Sequence, residues 1–280
     1  MLEPRKPIQY IQFDTSKVKQ IDSSTIVDPP VSLTVNGEVW VSLMCTPVHL
    51  EALAVGFLFN EGVIESMKEV SDVRVCEHGD NVDVWLTHTP QKPTKWTRTS
   101  GCSGGMTAVD SIVRPRAGAA PNGLTLPASQ IGRLVDMLFE AQELYRETGG
   151  VHTSALSDGE RILLSAEDIG RHNTLDKIAG LCLMKNIWPE RRILITTGRI
   201  SSEMLQKAVR FGAGILISRT SPSSLSIELA EKWGVTLIGY ARRNRFNLYA
   251  HPERILQQDK SRRDDMIVTG EPTGKAIPKG

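Results

Sequence analysis

The chain has 280 residues, 40% of them hydrophobic, which is enough apolar material for one large core or two modest ones. Lys plus Arg number 33 and Asp plus Glu 32, a net charge of +1. A protein that grips nucleic acid through its phosphates normally carries a large positive excess, so nucleic acid is not an expected partner. No apolar run approaches the roughly 18 residues of a membrane span. The start, MLEPRKPIQY, has neither the apolar stretch nor the small-residue cleavage site of a signal peptide, and the cytoplasm is the expected compartment.

The first 25 residues are polar and weakly patterned, and read as a loosely held arm with one edge strand. Val31–Val35 and Val39–Leu43 then alternate apolar and polar around Asn36-Gly37, the strongest hairpin signal in the chain. Thr46 as N-cap and Pro47 at the first helical position suit a helix running through the apolar stretch Leu50–Phe59. Val70–Val75 and Val82–Leu86 read as two strands around His78-Gly79-Asp80. Gln91–Ser111 is polar, and Pro115–Pro127 is a Pro-, Gly- and Ala-rich linker with a soft domain boundary near it. Pro127–Arg146 has the spacing of one amphipathic helix, with Ile131, Leu134, Val135, Leu138 and Ala141 on one face.

From Val151 the pattern changes to strands alternating with helices. Strands are expected at His152–Leu156, Arg161–Ala166, Ile193–Thr197, Gly214–Ser218 and Val235–Tyr240. Helices are expected at Arg171–Met184, Ser202–Phe211 and Ser223–Trp233. Short strands alternating with helices predict an α/β fold, with a largely parallel or mixed sheet and helices on both faces. The predicted organisation is an arm (1–25), a smaller N-terminal α+β subdomain (26–120), a C-terminal α/β domain (121–257) and a polar, disordered tail (258–280).

The cysteines are Cys45, Cys76, Cys102 and Cys182, with no C-x-x-C pair, which excludes a zinc ribbon and a thioredoxin-type dithiol. Three of them sit among apolar neighbours and read as core thiols. Cys102 lies in Thr99-Ser100-Gly101-Cys102-Ser103-Gly104-Gly105, beside Arg98. A thiol in a glycine-rich loop is accessible, and a nearby cation favours its thiolate. An incidental thiol in a flexible loop is the competing reading.

Three further segments carry chemistry. Glu167-Asp168-Ile169-Gly170-Arg171-His172-Asn173 crowds polar groups at a strand end and a helix opening, where open α/β sheets bind ligands. Helix-opening N–H groups with Arg171 suit an anion, and His172 can move protons near neutral pH. A well-capped helix with a charged face is the alternative. Thr196-Thr197-Gly198-Arg199-Ile200-Ser201-Ser202 repeats the strand–turn–helix arrangement, and Gly198, Arg199 and Ser201 can hold a phosphate or merely cap the helix. Arg242-Arg243-Asn244-Arg245-Phe246-Asn247-Leu248-Tyr249-Ala250-His251 combines arginines with rings that pair phosphates and stack flat ligands, or forms a solvated basic loop. His49-Leu50-Glu51 matches half of a zinc deaminase signature; P-C-x-x-C is missing, and no metal is expected.

Together these segments resemble the FdhD family over roughly residues 25–255. The stretches that carry the resemblance are TSGCSGG (99–105), HTSAL (152–156), EDIGRHNTLDKIAG (167–180), GRISSEMLQK (198–207), FNLYAH (246–251) and PVHLEALAVGFLFNEGVI (47–64). The resemblance implies a cytidine deaminase-like mixed sheet with flanking helices, without zinc chemistry, and a homodimer. It implies a sulfur carrier, or sulfurtransferase, required for formate dehydrogenase. Such a carrier takes sulfur from a cysteine desulfurase as a persulfide on Cys102. It passes the sulfur to the molybdenum or tungsten bis-pterin guanine dinucleotide cofactor before that cofactor is inserted. By position, Phe246, Asn247, Leu248, Tyr249, Ala250 and His251 match the stretch associated with the cofactor. Many members carry C-x-x-C in the cysteine loop; here Gly105 stands at its second position. That departure keeps open a cofactor-binding chaperone with no sulfur transfer, and His49 with Glu51 keeps open a deaminase-like hydrolase.

Overall fold

A computed structural model describes residues 2–93, 96–98, 106–108 and 124–257. Cys102, most of the Pro115–Pro127 segment and the 258–280 tail lie outside the described residues.

The chain begins with β1 (Arg5–Asp14) and β2 (Lys17–Ile26), paired antiparallel over ten residues each. Two paired strands stand where one edge strand was expected. The ribbon was hard to read because it buries little: Ile11, Phe13 and Val18 are exposed, and no apolar face alternates clearly. Its base rests on the body through Arg5, which pairs with Glu147.

β3 (Pro30–Val35) and β4 (Glu38–Met44) form the expected hairpin. Asn36 and Gly37 both take positive φ, 48° and 84°, as a tight two-residue turn requires. Helix α1 (Leu50–Asn60) follows, then β5 (Val70–Val75) and β6 (Asn81–Leu86). These strands form one sheet in the order β4-β3-β6-β5, with α1 packed against it. Two short strands, β7 (Trp96–Arg98) and β8 (Met106–Ala108), pair antiparallel. The parallel pair of β9 (Leu126–Pro127) with β16 (Ile255–Leu256) joins the two ends of the C-terminal half.

The expected helix over 127–146 is broken in two. α2 (Ala128–Glu140) and α3 (Leu144–Thr148) are separated by Ala141–Glu143. The carboxylate of Glu167 explains the break. It accepts from the backbone N–H groups of Glu143, Leu144 and Tyr145 at 2.8–3.0 Å, and so starts a new helix there.

The rest alternates: β10 (His152–Ser157), β11 (Ile162–Asp168), α4 (Arg171–Lys185), β12 (Ile193–Thr196), α5 (Ser202–Phe211), β13 (Ile215–Ser218), α6 (Ser224–Trp233), β14 (Thr236–Arg242) and β15 (Arg245–Ala250). The six strands order as β11-β10-β12-β13-β14-β15, with β12, β13 and β14 mutually parallel and the rest antiparallel. The mixed α/β arrangement read from the alternation is present. Ile193, Ile195, Ile215 and Ile217 face α2, while Leu194 and Leu216 join the larger core. Both faces of these strands are covered, which is why they read as unbroken apolar runs.

Helices α1 and α4 lie at the centre. Every residue of α1 but Glu51 is buried, and α4 is buried from Arg171 to Leu183. The two backbones touch at paired glycines. A Cβ on Gly56 would lie 1.8 Å from the Asp176 carbonyl, and one on Gly180 would lie 1.9 Å from that of Ala52. The larger core therefore runs unbroken from the four-stranded sheet through α1 and α4 to the six-stranded sheet. Gly180→Ala is expected to destabilise the protein by about 3 kcal/mol by forcing the helices apart. Thermal unfolding checks this, and an unchanged midpoint would show that the helices separate without cost.

Candidate functional site

The expected Thr46 N-cap has a different task. α1 starts at Leu50, with His49 at the cap in a left-handed conformation (φ 54°). Thr46 is fully buried and faces Asp168: its N–H donates to Asp168 Oδ2 at 3.0 Å, and its hydroxyl accepts from Ile169 N at 3.1 Å. Asp168 also accepts from Gly170 N (2.7 Å) and Asn173 Nδ2 (2.8 Å), and pairs with Lys177 Nζ at 2.6 Å. Both side chains of that ion pair are wholly buried. Lys177 spends its other donors on the carbonyls of Thr46 and Glu167. Asp168 and Glu167, read from the sequence as reactive candidates, are thus committed to backbone and neighbours. A second buried group lies one turn on: Lys207 Nζ meets both oxygens of Asp176 (2.6 and 2.7 Å), and Asn60 Nδ2 donates to the same carboxylate at 2.7 Å.

This network fixes the opening of α4, so Arg171 and His172 come to rest at the carboxyl ends of β12 and β13. Two loops leave those strand ends. The first, Thr197–Ser201, ends on Ser201, whose hydroxyl caps α5 by accepting from Met204 N. The second, Arg219–Ser223, ends on Ser223, which caps α6 in the same way. A parallel bridge between Ile200 and Pro222 ties the loops together. Two adjoining cavities open along them. The smaller, about 240 Å3, is lined by Arg171, Arg199, Ile200, Ser201, Ser221, Pro222 and Ser223. Of the sequence-predicted residues, Arg171, Arg199 and Ser201 meet here. Gly198 is buried beneath them: a Cβ there would lie 2.7 Å from Arg171 Cβ, so the glycine lets the arginine lie against the loop. His172 stands behind the cavity, its Nε2 3.4 Å from Ser201 Oγ.

The larger cavity, about 470 Å3, has walls from the α2–α3 break (Phe139, Gln142, Tyr145), from His152 and Thr197, and from Arg219, Thr220 and Arg242. Phe139, Gln142, Tyr145, His152 and Arg219 were not among the predicted site residues. The signal for Arg219 was present in the sequence, since Ser218–Ser223 repeats the strand–Arg–Ser–helix arrangement of Thr197–Ser202. The residues of α2 and α3 carried no signal, because the break depends on Glu167, distant in sequence.

Of the Phe246–His251 stretch, Phe246–Ala250 lie in β15, an edge strand, and His251 follows it. None of its residues lines either cavity. Phe246 packs with the α2 core, Asn247 and Leu248 are exposed, and Ala250 is buried. Tyr249 approaches the cleft from behind: a Cβ on Gly239 would lie 2.8 Å from its ring and 3.0 Å from Pro222. His251 holds Glu231 O and Glu253. Burial works against its charge, but those bonds outweigh it and raise its pKa above 6.5. Arg243 pairs with Asp136 at 3.3 Å, and Arg245 is exposed.

Charge in the cleft is one-signed. Burial, then Lys207 and Arg171, hold the His172 pKa well below 6.5; burial, then Arg171, lower that of His152. Both rings are neutral among cations at neutral pH, a setting that receives an anion. Burial pushes the Cys45 and Cys182 thiols up to about 12. Cys76 is half-buried, and its thiol lies 2.9 Å from Asp80 Oδ1. Cys102 lies outside the described residues, between β7 and β8 in sequence. Among the described residues no group of three His, Cys, Asp or Glu is placed to hold a metal ion, and no helix is long and apolar enough to cross a membrane.

Comparison with known proteins settles the kinship. The family model "FdhD/NarQ family" matches residues 26–256. The chain belongs to that family. It is 36% identical over 248 residues to a protein of Bacillus subtilis (strain 168) named "Sulfur carrier protein FdhD", covering 87% of this chain and 95% of that one. A Staphylococcus haemolyticus protein of the same name is 34% identical, covering 88% and 94%. A crystal structure described as that of a formate dehydrogenase accessory protein from Desulfotalea psychrophila superposes with a TM-score of 0.76. Its identity is 30%, and the match covers 91% of this chain and all of that one.

Two outcomes follow from the buried groups. Asp168→Asn is expected to cost about 3–5 kcal/mol by stranding the Lys177 charge, and adding Lys177→Met to recover part of that loss. Urea unfolding of the three proteins checks it; a single variant as stable as the parent would mean that the pair contributes little. The histidines set a pH response. Unfolded, each takes up a proton near pH 6.5; folded, each resists it until lower pH. The unfolded state therefore binds more protons below pH 6.5, and stability falls as the pH drops through that value. His172→Gln is expected to flatten this part of the stability-against-pH curve, and an unchanged slope would place the effect elsewhere.

Proposed function

We propose that this protein is a sulfur carrier that serves formate dehydrogenase. In this reading Cys102 carries the sulfur and the strand-end cleft holds the phosphate-bearing arm of the client, a molybdenum or tungsten bis-pterin guanine dinucleotide. The observation that carries the reading is the convergence of Arg171, Arg199, Ser201 and a second Ser-capped helix opening on one cleft, with no carboxylate among its lining residues. Two helix N-termini and two guanidinium groups are chemistry for phosphate. The names of the relatives, sulfur carrier protein and formate dehydrogenase accessory protein, agree with it.

The first step needs only a thiolate. Cys102 attacks the outer sulfur of a persulfide on a donor, for which a cysteine desulfurase is the proposed source. A new S–S bond forms on Cys102, the donor's S–S bond breaks, and the donor cysteine leaves as its thiolate. The low thiolate content of Cys45 and Cys182 keeps them out of this exchange. Arg171 and Arg199 orient the client by its phosphates, and Ser201 offers its hydroxyl beside them. Tyr249 of β15 lies behind the cleft, against Gly239 on the side of Pro222.

Gly105, standing where many members have a second loop cysteine, favours a second reading: a cofactor-binding chaperone without sulfur transfer. Intact-protein mass spectrometry after incubation with a cysteine desulfurase and cysteine separates the two. The expected result is a gain of one sulfur atom, removed by reductant, absent in Cys102→Ala and retained in Cys76→Ser. No gain in the parent protein, with the desulfurase shown to be active, would overturn the carrier and leave the chaperone.

A further inference from the structure

The three most exposed large apolar side chains among the described residues stand together on the N-terminal ribbon: Phe13 at 76%, Val18 at 63% and Ile11 at 59%. The register explains the grouping. Phe13 lies opposite Val18, and Ile11 opposite Gln20; opposite residues of an antiparallel pair share a face. The alternate pairs, Asp14 with Lys17 and Gln12 with Lys19, take the other face. Asp14 turns onto its own loop and accepts from Thr15 N at 2.7 Å. Among the described residues neither Lys17 nor Lys19 forms an ion pair. The outer end of the ribbon is therefore apolar on one face and cationic on the other. Across both strands four basic residues (Arg5, Lys6, Lys17, Lys19) stand against two acidic ones (Asp14, Asp22), a net charge of +2.

The base of the ribbon is fixed. Arg5 pairs with Glu147, Val27 N donates to Pro4 O at 2.9 Å, Leu2 reaches the turn at Gly79, and Ile26 lies against Gly150. Every residue from Gln9 to Gln20 is exposed, and strands of this length reach roughly 30 Å at about 3.3 Å per residue. A patch of three side chains is a fraction of the roughly 800 Å2 that each partner of a stable protein complex supplies. A lipid surface asks for no complementary shape, only apolar side chains on a support with cations beside them. We propose that the outer end of the β1–β2 ribbon is a peripheral membrane anchor: Ile11, Phe13 and Val18 enter the headgroup boundary of an anionic bilayer, and Lys17 and Lys19 pair with its phosphates. Long lysine stems carry their ammonium groups past the ribbon edge to headgroup level. No membrane-spanning segment is needed for such a contact. The ribbon precedes the segment matched by the family model, residues 26–256, and the proposal is independent of sulfur transfer. Its base stands at the rim of the larger cavity, which Gly149 and Gly150 help to line, so an anchored molecule holds its cleft about a ribbon's length from the bilayer.

Co-sedimentation of the full-length protein with lipid vesicles tests this. Mixed phosphatidylcholine–phosphatidylglycerol vesicles are expected to bind it about tenfold more tightly than vesicles of phosphatidylcholine alone, and added salt to erase the difference. Phe13→Ser is expected to weaken binding to both vesicles about tenfold. Lys17→Glu combined with Lys19→Glu is expected to remove the preference for phosphatidylglycerol. All three positions are exposed, so the variants are expected to keep the thermal midpoint of the parent. No sedimentation with either vesicle, or binding untouched by Phe13→Ser, would overturn the proposal. So would a dimer, seen by light scattering without lipid, that Phe13→Ser dissociates, since the ribbon would then belong to a second copy of the chain.

Discussion

A carboxylate without exposed atoms stands where the four-stranded and six-stranded sheets of this protein meet. Asp168 is held by two backbone N–H groups, an asparagine amide and a lysine, and those donors come from both halves of the chain. A buried charge is tolerable only when its partners are complete. The site therefore cannot be half-formed: the turn at Thr46, the end of β11 and the first turn of α4 reach their positions together or the charge is stranded. The glycine contacts between α1 and α4 impose the same condition in apolar terms, since backbones at that distance leave no room for adjustment.

The cleft inherits its order from this constraint. Arg171 and His172 belong to the helix turn that Asp168 anchors, and Gly198 admits Arg171 against the loop of the neighbouring strand. The two Ser-capped helices open beside it because β12 and β13 are parallel and adjacent, so their following loops emerge at the same edge. Glu167, one residue before the anchor, reaches the other way and starts α3, which carries Tyr145 to the wall of the larger cavity. Neighbouring acids thus place the walls of both cavities without lining either one.

What could be read from the sequence was whatever depends on local chemistry. Asn36-Gly37 announced its hairpin, a serine cap announced α5, and apolar runs announced strands buried on both faces. Gly198, Arg199, Ser201, Arg171 and His172 were recognisable because cations and hydroxyls cluster there at a strand–helix junction. What could not be read depends on partners far apart in the chain. Thr46 looked like a helix cap because its bond to Ile169, 123 residues away, leaves no local trace. The break between α2 and α3 is invisible for the same reason. The stacking of the Arg219 guanidinium on the Phe139 ring joins residues with nothing in common in the sequence. The β1–β2 ribbon escaped because its apolar residues face water, where periodicity reports nothing about a core.

The thiols show the same division between folding and function. Burial pushes the Cys45 and Cys182 thiols up to about 12, so both are protonated at neutral pH and pack as small apolar side chains. Cys76 donates its S–H to Asp80 Oδ1 at 2.9 Å. Sulfur exchange needs the thiolate and open access to it. The interior that stabilises this fold suppresses that form, and the cations that favour it belong instead to the anion cleft. In the proposed reading, a reactive thiol therefore has no place in that interior.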